Sequence, residues 1–168
     1  MAMTSRYWAR PIEKAALEEL RVRDDAGREC VPYTDEEGGA PLRCCLRPSA
    51  AGEAIALVSY APLRRWAAAT GAQPGAYDEQ GPVFVHAGDC GGPSADGGYP
   101  FARPGVQRTA RRYSARGHIL GGQVLALGEE PGTVIGQALD EAFADPEVAL
   151  VHVRAAEFGC FLFEVRRA

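Results

Sequence analysis

The closing stretch of the chain, Asp145 to Arg167, reads DPEVALVHVRAAEFGCFLFEVRR. Two runs in it, Val148 to Arg154 and Cys160 to Arg166, are rich in β-branched and aromatic residues. The short connection between them ends in Gly159, and a glycine can take the positive φ that a tight turn requires. The stretch therefore predicts an antiparallel β-hairpin at the end of the domain.

Strand periodicity sorts the side chains of this hairpin onto two faces. The odd-numbered positions are apolar and predict a buried face: Val151, Val153, Phe161, Phe163 and Val165. The even-numbered positions mix apolar with polar and reactive groups: Leu150, His152, Arg154, Cys160, Leu162 and Glu164. A register that pairs Arg154 with Cys160 would gather the polar groups in one patch. This even face is either the solvent face of an edge hairpin or the floor of a cleft.

Length and composition predict a single globular domain. A chain of 168 residues can bury about two thirds of the surface that its unfolded form exposes, so it can fold without disulfides or metal. Its 20 glycines and 12 prolines predict many turns and short elements. We therefore expect an α+β fold, mainly antiparallel β-sheet with two or three flanking helices and long glycine-rich loops. Residues 1–39 are expected to form an N-terminal helix and loop that pack on a domain of residues 40–168.

Charge and hydropathy limit the kinds of molecule that the protein is expected to bind and the compartment in which it is expected. The net charge of −4 disfavours nucleic acid and anionic membranes as partners. The N-terminus lacks the apolar core of a secretory signal, and no run approaches the ~20 apolar residues of a membrane span. A cytoplasmic location is therefore expected. There the five cysteines would be reduced thiols, metal ligands or catalytic groups rather than a disulfide framework: Cys30, Cys44, Cys45, Cys90 and Cys160.

Patterning along the rest of the chain predicts three helices and further strands. The helices are expected at Pro11–Arg23, at Pro62–Thr70 and, capped by Thr133, at Val134–Phe143. One strand is expected at Glu53–Tyr60, and a central strand buried on both faces at Gly81–Ala87. A second hairpin is expected from Arg108–Ser114 and His118–Leu127, with a bulge at Gly121-Gly122.

A histidine and a thiol stand close together at the end of the central strand. His86 closes that strand, and Cys90 follows four residues later in a glycine-rich loop. The pair could bind zinc, or the imidazole could hold the cysteine as a nucleophilic thiolate. Because no Cys-x-x-Cys occurs, a zinc site would have to combine distant residues such as Cys45, His86, Cys90, His152 or Cys160. The sequence therefore predicts no cofactor and no metal ligand, with a zinc site as the alternative. Cys30 and Cys44 are interpreted as small buried hydrophobes.

Three arginines on predicted strands are expected nearest a cleft: Arg43, Arg112 and Arg154. A guanidinium can bind a carboxylate or phosphate through two parallel hydrogen bonds. The alternative is that they are surface residues or partners of acidic side chains. Tyr113, next to Arg112, would either donate a proton or only pack.

Four blocks of the sequence resemble those of a known family. They are Arg43–Arg47, Gly81–Ala87 with Cys90, Arg112-Tyr113, and the stretch from Asp145-Pro146 through His152–Arg154 to Gly159-Cys160. Together they are similar to the signature blocks of a bacterial domain-of-unknown-function family, number 1203, over residues 40 to 167. The resemblance implies no activity, but it marks nine positions: Arg43, Cys45, His86, Cys90, Arg112, Tyr113, His152, Arg154 and Cys160.

These residues support an expectation of a small enzyme that acts on an anionic metabolite through a His/Cys/Arg pocket. The catalytic candidates are His86, Cys90, His152 and Tyr113. The substrate-binding candidates are Arg43, Cys45, Arg112, Arg154 and Cys160. The expected partner is a small molecule, and the oligomeric state is undetermined. Two alternatives remain, a non-catalytic binding or interaction module with a structural thiol/histidine cluster, and a zinc-binding protein.

Overall fold

A computed structural model describes residues 6–94 and 98–167 of the chain. Within this part the protein is an α+β domain, as the sequence predicted, and it has three α-helices and nine strands in two mostly antiparallel sheets. The helices are α1 (Lys14–Leu20), α2 (Pro62–Thr70) and α3 (Pro131–Ala144). The strands are β1 (Tyr33–Asp35), β2 (Pro41–Leu42), β3 (Arg47–Pro48), β4 (Glu53–Tyr60), β5 (Gly81–His86), β6 (Gln107–Ser114), β7 (Ile119–Ala126), β8 (Val148–Ala155) and β9 (Phe161–Arg166).

The first sheet has the strand order β1-β4-β5-β2-β3. β2 and β5 run parallel, with Leu42 opposite Phe84, and the other pairings between its described strands are antiparallel. β5 is central, as predicted, but the prediction that both of its faces are buried is wrong. Val83 and Val85 are buried, whereas Pro82 is exposed and lines a cavity. The glycine-rich loop that follows β5 includes residues 95–97, which lie outside the described part.

The second sheet has the strand order β7-β6-β8-β9 and is antiparallel throughout. Both predicted hairpins form. Tyr113 lies opposite Ile119 and Arg112 opposite Gly121, so the predicted bulge falls at Leu120, immediately before the two glycines.

The register of the closing hairpin differs from the one considered from the sequence. Arg154 lies opposite Phe161 rather than Cys160, and Val153 lies opposite Phe163, so Leu162 forms a bulge. A bulge reverses the alternation of faces beyond it. Leu162 therefore joins the core that contains Val153 and Phe163, whereas Phe161 joins the face of His152.

Two main cores hold the sheets. α3 packs Ile135 and Leu139 against Val151, Phe163 and Val165 of the second sheet. α3 begins at Pro131 with Glu130 as its N-cap residue, so the predicted cap at Thr133 is wrong because the helix starts earlier. α1 packs on the first sheet, where Leu17 and Leu20 of the helix share a core with Ile55 of β4 and with Val83 and Val85 of β5.

The N-terminal helix is shorter than the predicted Pro11–Arg23 because the residues before it are extended. Arg10 forms a β-bridge with Glu164 of β9, and the amide of Ile12 donates to the carbonyl of Arg43 at 3.0 Å. The N-terminal segment thereby contacts both sheets.

The even face of the closing hairpin is internal. His152 and Leu150 are fully buried, and Leu150 packs with Tyr113 and with Leu63 of α2. The solvent-face interpretation is therefore wrong, and this face borders a cavity. Of the helices in the described part, none has the length and apolarity needed to cross a membrane.

Candidate functional site

Two adjacent cysteines occupy the tight turn between β2 and β3. Cys44 and Cys45 are 1% and 6% exposed. The carbonyl of Leu42 accepts a hydrogen bond from the amide of Leu46 at 3.0 Å, and Leu46 has a φ of +57°. This closed turn holds both thiols inside, with their Sγ atoms 4.0 Å apart. That separation is about twice the ~2.05 Å of a disulfide, so both are free thiols.

The parallel pairing of β2 with β5 brings His86 to this turn. Leu42 lies opposite Phe84 in this pairing. Cys44 and His86 follow two residues later in the two parallel segments and are therefore neighbours. The backbone amide of His86 donates to Sγ of Cys44 at 3.2 Å. Nδ1 of His86 lies 3.4 Å from Sγ of Cys44 and 3.7 Å from Sγ of Cys45.

Cys90, in the loop after β5, completes a four-residue group that we call the thiol cluster: Cys44, Cys45, His86 and Cys90. The three Sγ atoms and one imidazole nitrogen lie within 4.8 Å of one another. Two contacts of Asp89 stabilise the loop next to Cys90. Its side chain accepts a hydrogen bond from the amide of Gly91 at 3.0 Å and lies 3.7 Å from Nζ of Lys14.

A carboxylate contacts the second nitrogen of the His86 imidazole. Oε2 of Glu53 lies 2.6 Å from Nε2 of His86, and Arg47 donates two hydrogen bonds to Glu53, at 2.9 and 3.0 Å. The hydrogen bonds from Arg47, from the amide of Ala50 and from His86 hold the pKa of Glu53 far below its usual range. An ionised carboxylate at Nε2 favours the tautomer that carries the proton there, so Nδ1 presents its lone pair to the cysteines.

The cluster has the size of a mononuclear tetrahedral site. With Zn–S of about 2.3 Å and Zn–N of about 2.0–2.1 Å, the edges of such a tetrahedron are about 3.5–3.8 Å. The three distances among Cys44, Cys45 and His86, 3.4, 3.7 and 4.0 Å, are close to these edges, and all four donor atoms lie within 4.8 Å of one another. A hydrogen bond from Cys44 lowers the pKa of the Cys45 thiol, whereas the contact with Cys45, followed by burial, raises the pKa of Cys44. The residues present thus fit a thiophilic divalent cation.

A second candidate site surrounds His152, and we call it the His152 cavity. Its volume is about 490 Å³, and its lining includes Tyr60, Leu63, Glu79, Tyr113, His152, Arg154 and Cys160. Nε2 of His152 lies 2.9 Å from Oε2 of Glu164, and Arg166 donates to the other oxygen of Glu164 at 2.6 Å. Nδ1 of His152 is buried and has no hydrogen-bond partner among the described residues.

Glu164 is the charged partner of this buried histidine. Burial alone would raise the pKa of Glu164, but the hydrogen bonds and charges of His152 and Arg166 together outweigh burial and lower it. Glu164 is therefore ionised at neutral pH and favours the proton on Nε2 of His152. In the neutral form of His152 with its proton on Nε2, the unpartnered Nδ1 is a hydrogen-bond acceptor and a potential base.

Polar groups of β6 and β8 complete the His152 cavity. The rings of Tyr113 and His152 pack at 4.7 Å, and Arg111 donates to the hydroxyl of Tyr113 at 3.3 Å. Arg111 and Arg154 both face the carboxylate of Glu79, at 3.0 and 3.7 Å. Burial lowers the pKa of Arg154, and the nearby charge of Arg111 lowers it further. Two guanidinium groups share one half-exposed carboxylate, which leaves this rim positively charged.

The structure divides the residues that the sequence placed in one pocket. Cys45, His86 and Cys90 lie in the thiol cluster, and Tyr113, His152 and Arg154 lie around the His152 cavity. Cys160 borders that cavity and a second cavity, which Arg43 also lines. Arg112 joins neither site, because it lies opposite Val151 on the face covered by α3.

Sequence reasoning missed four residues that the structure adds. Cys44 was interpreted as a hydrophobe, although its position beside Cys45 was a signal that one turn could present two thiols. Glu53 had no local signal as the partner of His86, since that contact depends on strand pairing. Strand alternation placed Glu164 on the same face as His152, but it was not selected as the partner of the histidine. Arg111, opposite His152, takes the place that the sequence gave to Arg112.

One family model matches most of the chain. It covers residues 39–167 and is described as "Protein of unknown function (DUF1203)". No curated protein and no solved structure matches the chain.

Proposed function

We propose that this chain, which belongs to the DUF1203 family, is a zinc protein. It would bind one Zn²⁺ through Cys44, Cys45, Cys90 and Nδ1 of His86. The observation that supports this proposal is the packing of four donor atoms within 4.8 Å of one another. Three sulfurs and one imidazole nitrogen form a Cys₃His ligand set, which Zn²⁺ accepts in tetrahedral geometry.

Four protein ligands leave no open position, which is typical of a structural zinc site. The ion would join the β2–β3 turn, the end of β5 and the loop that carries Cys90. Thiolates are needed as ligands, so binding would release thiol protons and require reduced cysteines. We accordingly place the protein in the cytoplasm, where thiols stay reduced.

Metal content and thiol protection test the proposal. Protein prepared without chelator should contain about one zinc per chain by mass spectrometry. Alkylation followed by peptide mapping should then show Cys44, Cys45 and Cys90 protected, with all three becoming reactive after chelation. Cys90→Ser should lose most of the zinc, whereas the matched Cys30→Ser should retain it, because Cys30 lies outside the cluster. Absence of zinc after refolding in excess Zn²⁺, or equal loss in both variants, would overturn the assignment.

A second candidate function is favoured by the unpartnered Nδ1 of His152. The His152 cavity would belong to an enzyme that acts on a small anionic metabolite. Nδ1 of His152 would accept a proton, with Glu164 stabilising the resulting imidazolium, and the hydroxyl of Tyr113 would donate a hydrogen bond to the substrate. Arg154 and Arg111 would hold the anionic group of the substrate.

A panel of small carboxylates and phosphate monoesters tests this second function. Turnover followed by NMR should identify a substrate, and His152→Asn should abolish its turnover while Arg116→Gln, a change at an exposed site, preserves it. Binding without turnover, with equal affinity in both variants, would instead support the remaining alternative of a non-catalytic binding module with a structural thiol/histidine cluster.

A further inference from the structure

A second cavity lies between the exposed side of β4 and β5 and the ends of β6 and β8, and we call it the Arg43 cavity. Its volume of about 730 Å³ is in the usual range of small-molecule sites. Its walls are mainly apolar and include Leu57, Pro82, Phe84, Phe101, Phe158 and Leu162. Leu57 and Phe158 are 51% and 89% exposed, so apolar surface remains open to a ligand.

A buried arginine without an acidic partner lies in this cavity. Arg43 is 2% exposed, and its guanidinium donates to the backbone carbonyls of Phe161, at 2.7 Å, and Pro41. No carboxylate of a described residue forms a salt bridge with it. A guanidinium group stays protonated at neutral pH, so Arg43 is a buried cation. A buried charge without a counter-ion is costly, and an anion would reduce that cost.

A second buried arginine lies at the other side of the same cavity. Arg108 is 4% exposed and donates to the carbonyl of Phe101 at 2.9 Å, while its Nε is buried without a partner in the described part of the chain. Its acidic contact is Glu157, at 3.4 Å, whose side chain is half exposed. Arg103 also lines the cavity. Three guanidinium groups therefore line this cavity, and Glu157 is the only acidic residue among its described lining residues.

We propose that the Arg43 cavity binds a small amphipathic carboxylate, with its apolar chain against Leu57 and Phe84 and its carboxylate directed to the buried arginines. The apolar wall alone would suit a neutral ligand, and the arginines alone would suit inorganic phosphate. Their combination selects a molecule that carries both features. This inference does not depend on the zinc site or on the His152 cavity.

The test measures binding of decanoate to the full-length protein by calorimetry, and also by displacement of the amphipathic fluorophore 1-anilinonaphthalene-8-sulfonate. Decanoate should bind at least about tenfold more tightly than 1-octanol, acetate or inorganic phosphate, because only decanoate satisfies both the charge and the apolar wall. Binding of 1-octanol equal to that of decanoate, or no binding of decanoate, would overturn the proposal.

Two variants and one control locate the site. Leu57→Glu places a carboxylate at the exposed rim of the cavity and should weaken decanoate binding at least about tenfold without unfolding the protein. Arg43→Gln should weaken it similarly, with circular dichroism to verify folding, because Arg43 also supports backbone carbonyls. Arg116→Gln should leave the affinity unchanged. Unaltered binding in folded Leu57→Glu would contradict the assignment even if Arg43→Gln failed to fold.

Discussion

Oε2 of Glu53 lies 2.6 Å from Nε2 of His86, while Nδ1 of the same ring faces the sulfurs of Cys44 and Cys45. The imidazole thus connects a carboxylate to a group of thiols. Metal-binding histidines commonly use their second nitrogen in this way, because the carboxylate sets the tautomer and increases the basicity of the ligand atom. Glu53 comes from β4, so three neighbouring segments of the first sheet contribute to one small site.

Glu53→Gln should weaken zinc binding about 10–100-fold without removing a ligand. The amide can still contact His86, but it cannot supply the negative charge that favours the required tautomer. Competition with a chromophoric zinc chelator measures the change. Glu36→Gln, the same change at an exposed site outside the cluster, is the matched control and should leave the zinc affinity unchanged. Equal zinc affinity in Glu53→Gln and in the wild type would show that the carboxylate does not support the histidine.

Glu164→Gln should lower the free energy of unfolding by about 1–3 kcal/mol at pH 7. The pKa of Glu164 is lowered in the folded protein, so its charge stabilises the fold above the unfolded pKa near 4.5. That contribution is lost as the pH falls through the folded pKa. The difference between wild type and variant should therefore be present at neutral pH and shrink as the pH falls below about 4.5.

Urea unfolding at a series of pH values measures this dependence. The charged groups that face Glu164 are His152 and Arg166, so the same series with His152→Asn separates their contributions. Glu141→Gln, on the exposed side of α3, should change stability little at any pH. A difference that stays constant down to pH 3 would contradict the ionised Glu164.

Leu20→Ala should destabilise the protein by about 2–5 kcal/mol, because Leu20 is fully buried in the core between α1 and the first sheet. Val22→Ala is the control, since Val22 is 71% exposed and should change little. Thermal unfolding measures both. A small effect of Leu20→Ala would show that the N-terminal helix, which precedes the family match at residue 39, is not part of the cooperative unit.

Gly38→Ala should destabilise the protein more than Gly27→Ala. Both glycines have positive φ values, +77° and +82°, so each alanine would incur the left-handed strain of about 1–2 kcal/mol. A Cβ at position 38 would also lie 2.9 Å from the backbone nitrogen of Ala51, whereas nothing lies within 4 Å at position 27. Chemical denaturation of both variants compares the costs, and equal costs would mean that the segment around Gly38 relaxes freely.

Local sequence patterns were sufficient to predict most elements. Glu53–Tyr60 and Pro62–Thr70 form the predicted strand and helix with the same bounds, and both hairpins form where they were expected. These features depend on hydrophobic periodicity and on turn-forming glycine and proline, which act over a few residues. The histidine, thiol and arginine residues of interest were also recognisable by type at strand ends.

The arrangement of those residues depended on tertiary structure. Cys44 and His86 are far apart in sequence and meet because β2 and β5 pair in parallel with Leu42 opposite Phe84. The bulge at Leu162 changed the faces of Phe161 and Leu162 at the start of the last strand. The pairing of β6 with β8 placed Arg111, rather than Arg112, beside His152. Strand order, register and bulges are selected by the packing of the whole core, so no local pattern could divide one expected pocket into a thiol cluster and two cavities.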